Sequence, residues 1–382
     1  MKEETGLLAW LSELERQGAN NMPLAIGMNK YLESKARQRG VPFRGTFELT
    51  PQCNLDCKMC YVHLSDEQLR TSAKQVLTGT EWKNIMQQAV DGGMMYALLT
   101  GGEAMLHPDF DELFLFLCEQ GVRVTVNTNG LLLTKERIAF FQRHMPGEIR
   151  VTLYGVDDDS YENVTGHRVF SRAFENICAA KEAGLPLFIG VTPSRYLEDK
   201  VVETVQLMSS LGLKCGVNTG LSVPREETGR ADDEHDMSQD AYINLYKKTQ
   251  ACGVDECTDL CEEIVPEPGG HSSEEKHGFR CGGGRSSFAI VWHGRMQPCL
   301  TFTDYQVDLA DHNFKEAWRK VNRFVSEYPV PRECFGCPYE GYCSVCVVRH
   351  AEGAPVGHAD PAICEWAKRL IQEGLFKLKP RN

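Results

Sequence analysis

From Phe43 to about Leu221 the chain alternates short apolar runs, rich in β-branched residues, with longer stretches in which apolar positions recur every three or four residues. The first pattern predicts strands and the second amphipathic helices. Six strands are expected, at GTFELT (45–50), MYALLT (95–100), VRVTVNT (122–128), IRVTLY (149–154), PLFIGVT (186–192) and KCGVNTG (214–220). The stretches between them carry helix punctuation: Thr78 with Glu81 forms a capping box, while Pro108 and Gly121 bracket HPDFDELFLFLCEQG. Alternation of this kind builds a parallel sheet with crossover helices. Six β/α units either curl into a partial barrel or lie open as a doubly wound sheet. In both, ligands gather at the carboxyl ends of the strands.

The flanking segments read differently. The start, MKEETGLLAWLSELERQ, is acidic and helical in pattern. After Leu221 the chain turns polar and acidic, then a helix is expected at SQDAYINLYKKTQ, followed by CGVDECTDLCEEIVPEPGGHSSEEKHG, a Gly-, Pro-, Ser- and Glu-rich bridge or lid. From about Phe279 strand and helix signals are sparse and Cys and Gly dense, so metal centres are expected to staple a small core. The expected organisation is an N-terminal helical extension (1–42), a (β/α)6 domain (43–245), a Cys-containing bridge (246–280) and a Cys-rich unit (281–382).

A composition of 42% hydrophobic and 25% charged residues is that of a globular protein. The start lacks a basic, then apolar, export pattern, and no run approaches the roughly 18 apolar residues of a membrane span, so a cytoplasmic protein without a membrane partner is expected. The net charge of -12 argues against nucleic acid as a partner, since that binding rests on clustered Lys and Arg. Sixteen cysteines, many closely spaced, point in a large chain without an export signal to metal or iron-sulfur ligation rather than disulfides.

The closest cluster is CNLDCKMC, where Cys53, Cys57 and Cys60 follow the first strand. Three thiolates fall one short of structural zinc, for which His63 is a candidate fourth ligand. A [4Fe-4S] cluster on three cysteines instead leaves one iron open for a substrate or cofactor. TGGE (100–103) and TNG (128–130) fall on the same rim, although a Gly pair alone commonly marks a turn.

In this context the sequence resembles the radical S-adenosylmethionine (radical SAM) superfamily. The Cys, three residues, Cys, two residues, Cys pattern with Tyr61 next is matched at Cys53, Cys57 and Cys60, and LLTGGEAMLHPDF resembles that family's second-strand motif. The resemblance implies that Gly101 and Gly102 let backbone approach the methionyl part of SAM, and that Glu103 accepts from its amino group. RVTLYG stands where relatives have a Ser-Leu-Asp-Gly-like strand. This implies a place for Thr152 near the SAM carboxylate or ribose and leaves Tyr154 as a departure. Arg168 and Arg195 are candidates to pair with the carboxylate, or are surface arginines.

Cys281, Gly294, Cys299, Cys334, Cys337, Cys343, Cys346 and Cys364 resemble the SPASM extension of peptide-modifying radical SAM enzymes, with two residues rather than three between Cys343 and Cys346. The resemblance implies two auxiliary [4Fe-4S] clusters, one on Cys334, Cys337, Cys343 and Cys364, the other on Cys281, Cys299 and Cys346. Cys261 is its expected fourth ligand, ahead of Cys252 and Cys257; an unfilled position would leave an iron open to a substrate thiolate. A pair of structural zinc sites is the alternative. Cys118, Cys178 and Cys215 are expected in the core.

The expected activity is reductive cleavage of SAM and hydrogen abstraction from a substrate, with ferredoxin or flavodoxin as electron donor. A ribosomally made peptide undergoing cross-linking or oxidation is the first expectation. With about 42 residues ahead of Phe43, its leader is expected to be held elsewhere. Oxidation of a small metabolite is the alternative. Maturation of a sulfatase Cys or Ser is disfavoured because Leu300 stands where those maturases typically have Asp. A zinc-stapled interaction protein without catalysis is the reading from a different class.

Overall fold

The computed structural model describes residues 24–197, 200–217, 225, 228, 237–251, 278–279, 281–335, 337–339 and 346–375. Within it β1 (Arg44–Glu48) lies inside a nine-stranded sheet. To one side follow β2 (Tyr96–Thr100), β3 (Arg123–Thr128), β4 (Glu148–Leu153), β5 (Leu187–Val191) and β6 (Lys214–Val217), each parallel to its predecessor. Because the order never reverses, right-handed crossovers place their helices on one face, and the alternative of a doubly wound sheet is settled in favour of an open, partial (β/α)6 barrel.

The helices are α1 (Leu24–Arg39), α2 (Asp66–Thr71), α3 (Gly79–Asp91), α4 (Phe110–Glu119), α5 (Lys135–Arg143), α6 (Asp158–Thr165), α7 (Phe170–Glu182), α8 (Val201–Ser210), α9 (Gln239–Ala251), α10 (Phe314–Glu327), α11 (Val347–Gly353) and α12 (Pro361–Gln372). The capping box at α3 forms as the sequence predicts: Thr78 Oγ1 accepts from the Glu81 amide and the Glu81 carboxylate accepts from the Thr78 amide at 2.8 Å. Along β3 and β4, Val124, Val126, Ile149, Val151 and Leu153 are buried, whereas Thr125, Asn127, Arg150 and Thr152 line the opposite, inner face.

The region after Phe279 corrects the expectation of sparse regular structure. β7 (Ser287–Ile290) pairs in parallel with β1, from Arg44↔Ser287 to Phe47↔Ile290, and β8 (Arg295–Gln297) and β9 (Val307–Asp308) extend the sheet antiparallel. Strands this short give no measurable period in sequence. One core therefore spans both parts of the chain. The Phe47 ring stands 6.0 Å from Trp82 of α3 and 5.8 Å from Phe288 of β7, and Phe288 meets Phe314 and Trp318 of α10. Among the described residues two small satellite clusters lie apart, one around Val330, Cys334 and Ala359, with Phe335 and Cys364 against it, and one of Val62, Leu64 and Trp292. Residues 1–23 and 252–277, with most of the expected bridge and Cys252, Cys257 and Cys261, lie outside the described residues. Among the described residues no helix is long and apolar enough to cross a membrane.

Phe47 is fully buried between three elements. Phe47→Ala is expected to cost about 3–5 kcal/mol in denaturant unfolding; a loss under about 1 kcal/mol would mean that the barrel and the β7 to β9 region do not share this core.

Candidate active site

The hydrogen bonding between β1 and β2 continues past the strands. The Leu49 amide donates to Thr100 O, Gly102 N–H to Thr50 O at 2.8 Å and Glu103 N–H to Gln52 O at 2.8 Å, so the thiol loop leaves the sheet clamped to the end of β2. The clamp explains both glycines. Gly101 has φ 147°, and a Cβ on it would stand 2.4 Å from Thr50 O; a Cβ on Gly102 would stand 2.3 Å from Gln52 O. Two backbones pack here where no side chain fits.

Glu103 organises the loops from behind. Fully buried, its carboxylate accepts from Thr128 Oγ1 and the Asn129 amide, each at 2.9 Å, and from the Met105 amide at 3.3 Å. Burial pushes its pKa up to about 7, against the pull of those donors. Asn129 then donates through Nδ2 to Asn54 Oδ1 at 2.6 Å and to Cys53 Sγ at 3.7 Å. The TGGE and TNG segments thus meet at the first thiol, as their common rim position predicts.

The cysteine loop rests on the carboxyl end of α6, with Asp56 and Lys58 amides donating to Thr165 O and Val164 O at 3.1 and 3.0 Å. Tyr154, just beyond β4, packs edge-on against Tyr161 of α6 with ring centroids 5.8 Å apart, and its phenol lies within electrostatic reach of Cys57, Cys60 and Cys53. Burial pushes Cys53 up to about 12, and the neighbouring charges of Glu103 and Cys60 add to this. A thiolate there needs a cationic centre, which an iron-sulfur cluster supplies. His63 faces Asp56, with Nδ1 3.4 Å from Oδ1, rather than joining the thiols as a zinc ligand.

Two further thiol sets form in the carboxyl-terminal part. Cys281, Cys299 and Cys346 lie within mutual electrostatic reach, with Cys281 on the side of the set that is open to solvent. Cys334 and Cys364 share the satellite cluster, and Cys337 lies beside Cys364. Cys343 and Cys261 lie outside the described residues. Among the described residues no three His, Cys, Asp or Glu are grouped tightly enough for one metal ion. Thiol-only sets of wider spacing fit a four-iron cluster, whose ligands stand farther apart than those of tetrahedral zinc.

The remaining candidates scatter. Thr152 is half-buried on the inner face of β4, opposite Gly190 in register. Arg168 lies on the solvent side of α6, bonded to Asp159 and Glu162 at 2.5 and 2.8 Å, and Arg195 is exposed. Cys118 and Cys215 pack against the main core.

Sequence reasoning missed two features. Asn127 Oδ1, on the inner face, is buried with no hydrogen-bond partner among the described residues, an acceptor left for a ligand. Glu48, fully buried, is held bidentately by Arg225 at 2.7 and 2.9 Å; that guanidinium also lies 5.4 Å from the Tyr61 ring centre and reaches Leu300 O at 3.4 Å. Tyr61 in turn lies within electrostatic reach of both Cys60 and Cys299, so this group joins the first thiol loop to the second. A carboxylate on a buried strand signals a required cation. Its partner, 177 residues away, leaves no trace in local spacing.

Residues 47–208, which hold the thiol loop, the glycine clamp and Thr152, match the sequence profile of the radical SAM superfamily. Residues 47–208 form a radical SAM domain. The protein is a radical SAM enzyme, and its cofactors are S-adenosylmethionine and a [4Fe-4S] cluster. Among curated relatives it is similar to the antilisterial bacteriocin subtilosin biosynthesis protein AlbA of Bacillus subtilis, 25% identical over 88% of this chain and 74% of the relative. It is also similar to the AdoMet-dependent heme synthase of Methanosarcina barkeri (25%; 79% and 90%) and a PqqA peptide cyclase of Bradyrhizobium diazoefficiens (23%; 80% and 81%). Its radical SAM fold is shared with Streptococcus suis SuiB (TM-score 0.64, 15% identity, 95% of this chain and 87% of that one) and with anSMEcpe bound to AdoMet (0.67, 13%, 87% and 97%).

In this radical SAM enzyme, Gly102→Ala is expected to force the Gln52 backbone away and to cost roughly 1–3 kcal/mol in denaturant unfolding. Wild-type stability in that variant would mean that the clamp yields freely.

Proposed function

We propose that the protein cleaves S-adenosylmethionine reductively at a [4Fe-4S] cluster held by Cys53, Cys57 and Cys60 and removes a hydrogen atom from a ribosomally made peptide, cross-linking or oxidising it. The observation that carries the peptide is the likeness to the subtilosin biosynthesis protein over 88% of the chain, thiol-rich extension included. The PqqA peptide cyclase and the sporulation killing factor maturation protein SkfB of Bacillus subtilis support the same substrate class.

When bound, the cluster supplies one electron to SAM, and the deoxyadenosyl radical so released takes hydrogen from the substrate. The protein's own residues do the rest. Glu103 is sealed behind the loops, so the methionyl amino group of SAM would meet the backbone of Gly101 and Gly102, both partly exposed, with Glu103 holding that backbone in place. Thr152 and the free Asn127 acceptor line the inner face where the adenosyl part would lie. Arg168 and Arg195 remain the cations proposed for the SAM carboxylate, Arg168 only after release from Asp159 and Glu162. Cys281, Cys299 and Cys346, with Cys261, would hold one auxiliary cluster and Cys334, Cys337, Cys343 and Cys364 a second, available to accept an electron from the substrate or to anchor it. Ferredoxin or flavodoxin would deliver the first electron.

Likeness to the heme synthase, over 90% of that protein, favours a second reading, oxidation of a small molecule. Reduced enzyme with SAM and a deuterated host extract, split into peptide and small-molecule fractions, separates the two. Deuterium is expected in 5'-deoxyadenosine from the peptide fraction; label from small molecules alone would replace the peptide reading. Replacing Cys53, Cys57 and Cys60 with Ala is expected to abolish 5'-deoxyadenosine formation while leaving auxiliary iron. Continued SAM cleavage in that variant would remove the triad from the chemistry.

A further inference from the structure

Helix α10 locally inverts the sign of the protein's charge. The chain carries a net charge of -12, yet the exposed positions of α10 hold four cations, Lys315, Arg319, Lys320 and Arg323, against two acids, Glu316 and Glu327. Lys320 Nζ is taken up by His312 Nε2 at 2.7 Å, and Glu316 lies 3.9 Å from the same ring. Lys315, Arg319 and Arg323 recur every four residues, so they form one row along the helix, and none of the three is in an ion pair among the described residues. Like charges at that spacing repel one another, so the row costs stability unless a partner of opposite charge uses it.

Asn322, three residues from Arg319 and therefore on the adjoining face, marks the flank where two other parts of the chain arrive. Trp318 Nε1 donates to Gly40 O at 2.7 Å, which brings up the basic end of α1, Arg37 and the exposed Arg39. Asn322 Nδ2 donates to Gly284 O at 2.8 Å, so the loop that opens with Cys281 lies against the same helix. Gly284 has φ 69°, and a Cβ on it would stand 2.4 Å from Val325 Cγ2, a contact that only glycine permits. A Cβ on Gly283 would stand 3.4 Å from Cys281 Sγ and 3.3 Å from Pro298 O, which sets the exposed Cys281 beside the turn that carries Cys299. The solvent-facing thiol of that set thus rides on a loop seated on the helix that bears the cations.

Proteins that exchange single electrons meet through small, weakly bound contacts, and opposite charge speeds the encounter. A basic row beside an exposed thiol loop meets both needs for a carrier of negative charge. We infer that the face of α10 bearing Lys315, Arg319 and Arg323 is the docking surface for a small acidic one-electron carrier protein. The reduced cluster on Cys281, Cys299 and Cys346 gives one electron to the oxidised carrier there, leaving the cluster oxidised and the carrier reduced. The inference rests on the reading that those thiols hold an iron-sulfur cluster.

The test mixes the reconstituted, reduced full-length protein, freed of excess reductant, with oxidised bacterial flavodoxin, an acidic carrier whose semiquinone is visible apart from iron-sulfur absorption. Stopped-flow spectroscopy reads the rate at which the semiquinone appears. The wild-type rate is expected to fall steeply between about 50 and 500 mM salt. Arg319→Glu with Arg323→Glu is expected to be slower by roughly tenfold at low salt and to lose most of the salt dependence, with Arg319→Gln and Arg323→Gln together falling in between. Lys135→Glu with Lys181→Glu changes the net charge as much as the first pair, at exposed positions of α5 and α7, and is expected to stay within about twofold of the wild type. Iron content is expected to be the same in all of them. A charge-reversed α10 within about twofold of the wild type, a Lys135 and Lys181 variant slowed equally, or no semiquinone from the wild type would overturn the proposal. Iron of only about four atoms per chain in the wild type would instead overturn the auxiliary clusters, and the inference with them.

Discussion

The carboxylate of Glu103 gathers three donors from two different segments, Met105 after β2 and Thr128 and Asn129 at the end of β3, in a place no water reaches. A buried carboxyl is tolerated only when its oxygens are occupied, so the loops must meet at this point for the protein to fold. Asn129, once fixed there, holds Asn54 and Cys53 from the far side. The glycine clamp fixes the same thiol loop from the near side. The position of the first thiol is therefore a consequence of satisfying one acid, and the reactive end of the barrel inherits its rigidity from that acid.

Much of this was legible in the sequence because it is local. All six strands begin within one residue of where the periodicity places them, and the Thr78 to Glu81 capping box forms as its spacing requires. The convergence of TGGE, TNG and the cysteines followed from strand ends alone. The reason for Gly101 and Gly102 was not legible, because it lies in a backbone contact with Thr50 and Gln52 across strands. The helix FKEAWRKVNRFVSE carries a plain amphipathic pattern, with Phe314, Ala317, Trp318, Val321 and Val325 buried, yet the surrounding density of Cys and Gly masked it. The Glu48 to Arg225 pair was beyond reach for a different reason: nothing in a sequence fixes which distant cation answers a buried acid.

The two thiol regions are joined by polar contacts as well as by the shared core. Arg225 takes Glu48 from β1, the Tyr61 ring from the first thiol loop and Leu300 O beside Cys299. Truncating one member of such a buried pair leaves the other charge stranded, so the group acts as a unit. On the opposite flank Trp292 packs with Val62 and Leu64 and its carbonyl accepts from the Leu77 amide. The thiol loop is thus gripped by the barrel below and by the carboxyl-terminal strands at its side.

β1 pairs with β2 on one edge and with β7 on the other. During synthesis the first edge finds its partner within about fifty residues, whereas the second stays open until Ser287 to Ile290 emerge, after some 190 more. An exposed parallel edge of Phe47 and its neighbours is a template for mispairing, and closing it requires a long-range contact that forms slowly. The nascent barrel therefore depends on protection, by chaperones or by speed, until the far end of its own chain arrives. A barrel cut off before β7 would keep its thiol loop and its glycine clamp but leave one edge of β1 unpaired.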